Sequence, residues 1–235
     1  MTRMMNTLAA LLLAMLLCAS TGCAEANTEP VEVGSMITMG LYEQDNDLTN
    51  GAEPIEWRVL AIEGDEALLV SRYALDSKPY DAKGGHAYWA KSTLRAWLNS
   101  DFYDAAFTED EKTVILTKDL PNRKEANTAD PVFLLSADDA KQLFANHADR
   151  QCKPTAYAIA QDAYISTKYT GNVQWWLRTN SWESKYRASY VAASGGVMTC
   201  GGNTFGAITN DRLVVRPAIY VNLNALSALS TPVQQ

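Results

Sequence analysis

The chain has 235 residues, enough for one domain with a sizeable buried core, and its 27 acidic side chains outnumber its 20 Lys and Arg side chains. The net charge of −7, with no cluster of basic residues, argues against nucleic acid or an anionic lipid surface as the main partner. The two histidines, His86 and His147, are isolated and no C-x-x-C motif is present, so we predict no metal site and no cofactor.

The first segment is typical of a secretion signal. Arg3 is the only charged residue before Cys23, and an apolar run extends from Leu8 to Cys18. This run has the length of a signal-peptide core and is shorter than the roughly 20 residues that span a membrane. We therefore predict that residues 1–22 are a signal peptide and that the mature protein is extracytoplasmic.

Two cleavage sites compete at the end of this signal. The stretch from Ser20 to Cys23 resembles a lipobox, although Ser20 departs from the usual Leu, and it would make Cys23 a lipid-anchored N-terminus. The alternative is the A-x-A pattern that ends at Ala26, a site for ordinary signal peptidase and hence for a secreted protein. In the anchored form, residues 23–32 are a short tether between the membrane and a single domain over residues 33–224.

The domain is predicted to begin with strands. Residues 33–42 alternate in part and indicate an opening strand. Residues 56–62 and 67–71 are apolar runs on either side of a short turn that contains Gly64, which predicts a β-hairpin.

Helices are predicted in the middle of the chain. Ser92 is a helix N-cap, and Thr108 with Glu111 forms a capping-box pattern for a second helix. Ser136 with Asp139 predicts the start of another helix, and residues 154–164 are Ala-rich and also predicted to be helical. Five apolar residues of the first helix lie at helical spacing on one face: Leu94, Trp97, Leu98, Phe102 and Ala106. Residues 122–131 are predicted to be a loop, and residues 132–135 a buried strand.

The last third of the chain is rich in predicted strands. Residues 173–178 form one strand, and a hairpin turns at Gly195 and Gly196. Residues 213–223 form a final strand, in which Pro217 indicates an edge or a bulge, and residues 225–235 are predicted to be a flexible tail. Strands at both ends with helices between them predict an α+β fold whose terminal strands pair.

Cys152 and Cys200 are the cysteines certain to remain after signal cleavage. Outside the cytoplasm they could form a disulfide, or both could be buried small apolar residues. The sequence leaves both alternatives open.

Several motifs together resemble a known family. They lie at residues 54–60, 93–99, 175–178 (Trp-Trp-Leu-Arg) and 215–218 (Val-Arg-Pro-Ala). The chain from about Val33 to Leu223 resembles an uncharacterised bacterial domain family, a domain of unknown function common in exported proteins of gut anaerobes. That family is distantly similar to the C-type-lectin-like fold of carbohydrate-binding lectins and formylglycine-generating enzymes. The resemblance implies a ligand-binding surface built by loops before the last strands.

Trp175 and Trp176 are adjacent in a predicted strand and should point to opposite faces. We assign Trp176 to a ligand-binding surface and Trp175 to the core; the alternative is that both rings pack in the core. The residues with predicted structural roles are Trp57, Trp97, Trp175, Arg178 and Arg216. The remaining predicted ligand-binding residues lie in later loops: Trp182, Glu183, Tyr186, Asn203, Asn210 and Asp211. Asn210 and Asp211 resemble the Asn-Asp pair of calcium-dependent lectins, but Thr209 replaces the preceding Trp, and no metal is predicted there.

The sequence predicts an envelope-anchored, non-catalytic binding module for a glycan or a protein at the cell surface. No catalytic residue is assigned. The alternatives are an enzyme of unknown reaction, with its site among Trp176, Trp182 and Glu183, and a purely structural surface domain.

Overall fold

A computed structural model describes residues 30–181, 183–199 and 206–229. The described residues from Glu32 onward belong to one compact unit. This unit contains helices and two principal sheets, so the α+β class is confirmed. The predicted signal peptide with Cys23 lies outside the described residues, as do Trp182, Cys200 and Asn203.

The opening strand and the first hairpin are present as predicted. β1 (Met36–Tyr42) pairs antiparallel with β2 (Glu53–Glu63), which pairs antiparallel with β3 (Glu66–Ser71). Gly64 has a φ of +61° in the turn between β2 and β3, a conformation that glycine adopts without the steric cost of a side chain.

Three further strands join the first sheet: β5 (Ile115–Leu116), β8 (Val132–Phe133) and β13 (Ala218–Asn222). The strand order in this sheet is β1-β2-β3-β13-β5, and β8 also pairs with β13. The predicted pairing of the terminal strands is wrong, because β2 and β3 lie between β1 and β13. The hairpin occupies the edge of β13 that β1 would have needed.

The second sheet has the order β11-β10-β9-β12-β4. Its central strand β9 (Trp175–Asn180) is followed by β10 (Ala188–Val191) and β11 (Val197–Met198), while β4 (Asp76–Ser77) forms the far edge. β12 is only Val214–Val215.

The predicted continuous final strand is therefore two strands in different sheets. Pro217 lies between β12 and β13, where it lacks the N–H that a ladder requires, and the chain crosses from the second sheet to the first at this point. This crossing joins the two sheets through a two-residue link.

A 3₁₀ turn (Trp89–Lys91) leads into α1 (Thr93–Trp97), a π-helical turn (Leu98–Phe102) and α2 (Tyr103–Ala106). Ser92 Oγ accepts a hydrogen bond from Arg95 N at 3.1 Å, which confirms the predicted N-cap. Four side chains of the predicted apolar face are buried and Trp97 is half-buried; the buried ones are Leu94, Leu98, Phe102 and Ala106.

Short helices complete the fold. α3 (Glu109–Val114) and α4 (Ala137–Gln142) both begin with the predicted capping boxes. α5 is His147–Arg150 and α6 is Ala156–Ala160, so the helix predicted over residues 154–164 is shorter than expected. No helix among the described residues combines the length and the apolar character needed to cross a membrane.

Two predicted irregular segments contain regular structure. β7 (Thr128–Asp130), within the predicted loop 122–131, pairs with β6 (Lys118–Leu120) in a small hairpin. α7 (Leu223–Leu229) occupies the start of the predicted tail, and residues 230–235 lie outside the described part of the chain. Asn222 Oδ1 accepts from Ala225 N at 2.9 Å, which caps α7 with a residue that was predicted to lie in a strand.

Candidate functional site

The loop between β9 and β10 carries several of the predicted ligand-binding residues. The backbone N–H of Ala87 donates to Lys185 O at 2.7 Å, and Ile208 N donates to Tyr186 O at 3.1 Å. These bonds hold the described residues of the loop, 181 and 183–187, between two other segments. Its exposed side chains are therefore presented by a well-supported backbone. We call this segment the late loop.

A small polar cavity of about 170 Å³ lies beside the late loop. Asn180, the last residue of β9, lines it and is only 8% exposed. Its Nδ2 donates to Arg123 O at 3.3 Å, whereas its Oδ1 is buried and accepts no hydrogen bond from the described residues. A buried amide oxygen without a donor is costly, so a bound group that donated to this atom would remove that cost. We call this space the Asn180 cavity.

One aromatic ring among the described residues lines the Asn180 cavity, and two more rings lie near that ring. Tyr88 lines the cavity, and the His86 ring lies 5.4 Å from Tyr88 and 6.1 Å from Tyr186, centre to centre. Tyr186 is 53% exposed, and the ammonium of Lys185 lies 5.0 Å from its ring centre. Exposed rings next to polar groups supply an apolar face and hydrogen bonds to one ligand.

Charged side chains of both signs also line the Asn180 cavity. Glu183 and Lys185 come from the late loop, and Lys124 comes from the loop between β6 and β7. Glu125 anchors that second loop, because its carboxylate accepts from Trp89 N at 2.8 Å and from Ala90 N at 2.9 Å. Burial raises the pKa of Glu125, while these two backbone hydrogen bonds act in the opposite direction.

The assignment of Trp176 to the ligand surface is wrong. Its side chain is fully buried, its Nε1 donates to Lys78 O at 2.9 Å, and its ring packs edge-on against Tyr80. Both faces of β9 are covered, so the alternation of side chains along the strand places Trp175 and Trp176 in the core alike.

Of the predicted ligand-binding residues that the structure describes, Glu183 lines the Asn180 cavity, whereas Tyr186, Asn210 and Asp211 do not. Asn210 Oδ1 accepts from Arg212 N at 3.0 Å, which makes a local polar turn before β12. The carbonyl of Asp211 accepts from Ser77 Oγ at 2.7 Å. Neither residue lines the Asn180 cavity. Two further predicted site residues, Trp182 and Asn203, lie outside the described residues.

The predicted structural tryptophans differ in burial. Trp57 and Trp175 are fully buried and donate from Nε1 to Met39 O at 2.8 Å and to Arg150 O at 3.1 Å. Trp97 is half-buried at the edge of the core.

The two predicted structural arginines are buried. Arg178 donates to Asp139 Oδ2 at 2.9 Å, and Arg216 Nε donates to Ser71 O at 2.9 Å. Burial by itself would raise the pKa of Asp139, but the Arg178 guanidinium and the hydrogen bonds from Ser136 hold that pKa below its ordinary value.

Cys152 is a buried free thiol whose Sγ lies 3.4 Å from Lys153 O. Burial raises the pKa of this thiol, so it has the character of a packing residue. Its suggested partner, Cys200, lies outside the described residues.

One group of carboxylates among the described residues is close enough for a shared cation. Oxygens of Glu43, Asp45 and Glu53 lie within 4.8 Å of one another. Glu53 Oε2 accepts from Gln44 N at 2.6 Å, and Asp45 Oδ1 accepts from Asp47 N at 2.7 Å. The hydrogen bonds of a polar turn thus hold Asp45 and Glu53 in place.

Most residues of the Asn180 cavity region, among them Asn180, Tyr88 and His86, were not predicted from the sequence. Asn180 lies two positions after Arg178 and therefore on the same face of the strand. A polar side chain at the end of a buried strand was a usable signal. The sequence around Tyr88 and His86 contained no such signal, because their contact with the late loop joins segments about a hundred residues apart.

The chain belongs to the DUF6273 family, described as a domain of unknown function, whose profile matches residues 64–223. No curated protein and no solved structure matches the chain. The family assignment thus defines a class of domain, and the site geometry alone bears on function.

Proposed function

We propose that this protein is a non-catalytic binding module that recognises a glycan at the Asn180 cavity. The observation that carries the proposal is the buried Oδ1 of Asn180, which has no hydrogen-bond partner among the described residues, in a cavity that Tyr88 also lines. A sugar hydroxyl can donate to this oxygen, and the C–H face of the sugar can stack on Tyr186 or Tyr88. The mixed charges of Glu183 and Lys185 supply both an acceptor and a donor for further hydroxyls.

The geometry favours binding over catalysis. Glu125 is adjacent in sequence to Lys124, which lines the Asn180 cavity, and burial raises the pKa of the Glu125 carboxyl. Both of its oxygens already accept hydrogen bonds from backbone N–H groups. It therefore serves as an anchor for the loop and is poorly placed to exchange a proton with a ligand.

The finer fold class and the location belong to the same proposal. We propose a C-type-lectin-like arrangement, supported by a ligand region that lies between β9 and β10, late in the chain. We also propose export and lipid anchoring through Cys23, supported by the apolar run and the lipobox-like stretch of the sequence. A domain tethered to the envelope would present its late loop to glycans or to proteins that carry them.

A glycan array with the purified protein and Asn180→Ala tests the function. Because Oδ1 accepts no hydrogen bond from the described residues, Asn180→Ala should lower the free energy of unfolding by less than about 1 kcal/mol and abolish glycan binding. Asn172→Ala is the matched control, since Asn172 is 7% exposed and likewise donates to a single carbonyl, Ala193 O at 3.4 Å. Unchanged binding by Asn180→Ala, or equal losses in both variants, would refute the site.

A further inference from the structure

A second and larger cavity, of about 490 Å³, lies beside the strand that carries Asn180. Its lining includes Arg178, two residues before Asn180 on β9, together with Phe133 and Tyr220 from the first sheet. This volume lies within the range of small-molecule sites, about 300–1,000 Å³. We call it the Arg178 cavity.

Arg178 has hydrogen-bonding capacity that the described residues leave unused. Its Nη1 donates to Leu134 O at 3.2 Å and to Asp139 Oδ2 at 2.9 Å. Its Nε is buried and has no acceptor in the described part of the chain, although the whole residue is only 6% exposed. An unsatisfied N–H on a buried guanidinium is costly, and a ligand that accepts from it would remove that cost.

The cavity also has an aromatic wall. The rings of Phe133 and Tyr220 are stacked with centres 5.7 Å apart and an angle of 24° between their planes. The Arg178 guanidinium lies 6.0 Å from the Phe133 ring centre, and the Lys118 ammonium lies 5.1 Å from the Tyr220 ring centre. Polar and aromatic groups thus converge on the same space.

The charges around the Arg178 cavity are already compensated. Arg178 forms an ion pair with Asp139, and Lys118 forms one with Glu66. The lining contains two positive side chains, Lys118 and Arg178, and two negative ones, Asp119 and Asp139, so it carries no net charge to attract an anionic ligand. A ligand with donors and acceptors but no net charge suits this balance.

We propose that the Arg178 cavity binds one residue of a neutral sugar, as a second subsite on the same strand as the Asn180 cavity. The inference rests on the proposed glycan function for the class of ligand, but its residues are distinct. A sugar oxygen accepts from the Arg178 guanidinium, a hydroxyl donates to Asp139, and the Tyr220 hydroxyl supplies a further hydrogen bond at the aromatic wall.

The side-chain Nε–H resonance of Arg178 in ¹⁵N NMR reports on this cavity directly and requires no mutation of the core. We would titrate the protein with glucose, galactose, N-acetylglucosamine and their β-linked trisaccharides, and separately with glucuronate and acetate. We expect a saturable shift of the Arg178 resonance with at least one neutral sugar and none with acetate. The exposed Arg72 provides an internal control resonance that should not move.

Tyr220→Phe keeps the stacked ring and removes one hydroxyl, so it should weaken that response by about tenfold, the effect of losing one hydrogen bond. Tyr169→Phe, outside both cavities, should leave the response unchanged. A response to the carboxylates alone would overturn the proposal, as would no response to any probe. If array binding depends on Asn180 but the Arg178 resonance does not respond, the subsite at the Arg178 cavity alone is refuted. If the Arg178 resonance responds but array binding is insensitive to Asn180→Ala, the proposed function at the Asn180 cavity alone is refuted.

Discussion

The guanidinium of Arg216 lies 5.0 Å from the ring centre of Trp175, and it lies 5.6 Å from that of Phe144. No salt bridge to a carboxylate involves Arg216 among the described residues, and its Nη1 is buried without a partner. Burial lowers the pKa of Arg216. The two aromatic rings therefore provide much of the stabilisation of the buried Arg216 cation. The contact between Arg216 and Trp175 links β9 to the segment that joins the two sheets.

Arg216→Lys should lower the free energy of unfolding by about 2 kcal/mol, because an ammonium neither stacks flat on Trp175 nor donates from the position of Nε. Urea denaturation measures the change. Arg72→Lys is the control, since Arg72 lies 5.1 Å from the Tyr73 ring centre but is exposed, and it should change stability by less than about 0.5 kcal/mol. Similar small losses in both variants would show that the aromatic contacts of Arg216 contribute little.

Trp97→Ala tests the edge of the core. The ring contacts Phe102 at 5.4 Å and the Lys78 ammonium at 4.6 Å, but it is only half-buried. We expect a loss of about 2 kcal/mol, below the roughly 3–5 kcal/mol typical of fully buried aromatic residues. Thermal and urea unfolding give the value, and a loss under about 1 kcal/mol would mean that Trp97 adds little to the core.

Acid should destabilise the protein through Asp139. Its folded-state pKa lies below the ordinary value of 3.8, so its contribution is fully present above that value and is lost as the pH falls through the folded-state pKa. Urea unfolding between pH 6 and pH 2, for the native protein and for Asp139→Asn, measures this. The variant should be less stable at pH 6 and show a smaller loss at low pH; parallel curves would contradict the role of Asp139.

Tyr186→Ala should weaken glycan binding by roughly tenfold, the effect of losing an aromatic stacking contact of about 1–1.5 kcal/mol, and leave the melting temperature nearly unchanged. Tyr169→Ala is a close control, because Lys168 lies 5.4 Å from the Tyr169 ring centre much as Lys185 lies beside Tyr186. Calorimetric titration with the glycan found on the array gives the affinities. Equal affinities in Tyr186→Ala and the native protein would exclude this ring from the site.

Cys23→Ser should release the protein from the membrane fraction of expressing cells, because a serine cannot carry the thioether-linked lipid of an anchored N-terminus. Cys18→Ser, within the same signal, should leave the protein in the membrane fraction. If Cys23→Ser remains membrane-associated, attachment does not depend on a lipid at Cys23. A native protein found only in the soluble fraction would instead indicate cleavage after Ala26.

Local structure was largely determined by the sequence alone. The hairpin of β2 and β3 and the caps at Ser92, Thr108 and Ser136 were predicted correctly. Each of these elements depends on residues within a few positions of one another, so the local sequence pattern predicts the hydrogen bonds that define them.

Only the tertiary structure decided what surrounds each element. Trp176 is buried among segments distant in sequence, and its Nε1 donates to Lys78 O, 98 positions away in the chain. β12 and β13 belong to different sheets because they pair with different strands. The Asn180 cavity likewise forms where the late loop meets Tyr88 and Lys124. Burial and cavity formation depend on packing between distant segments, and a residue's own neighbours in sequence carry no record of that packing.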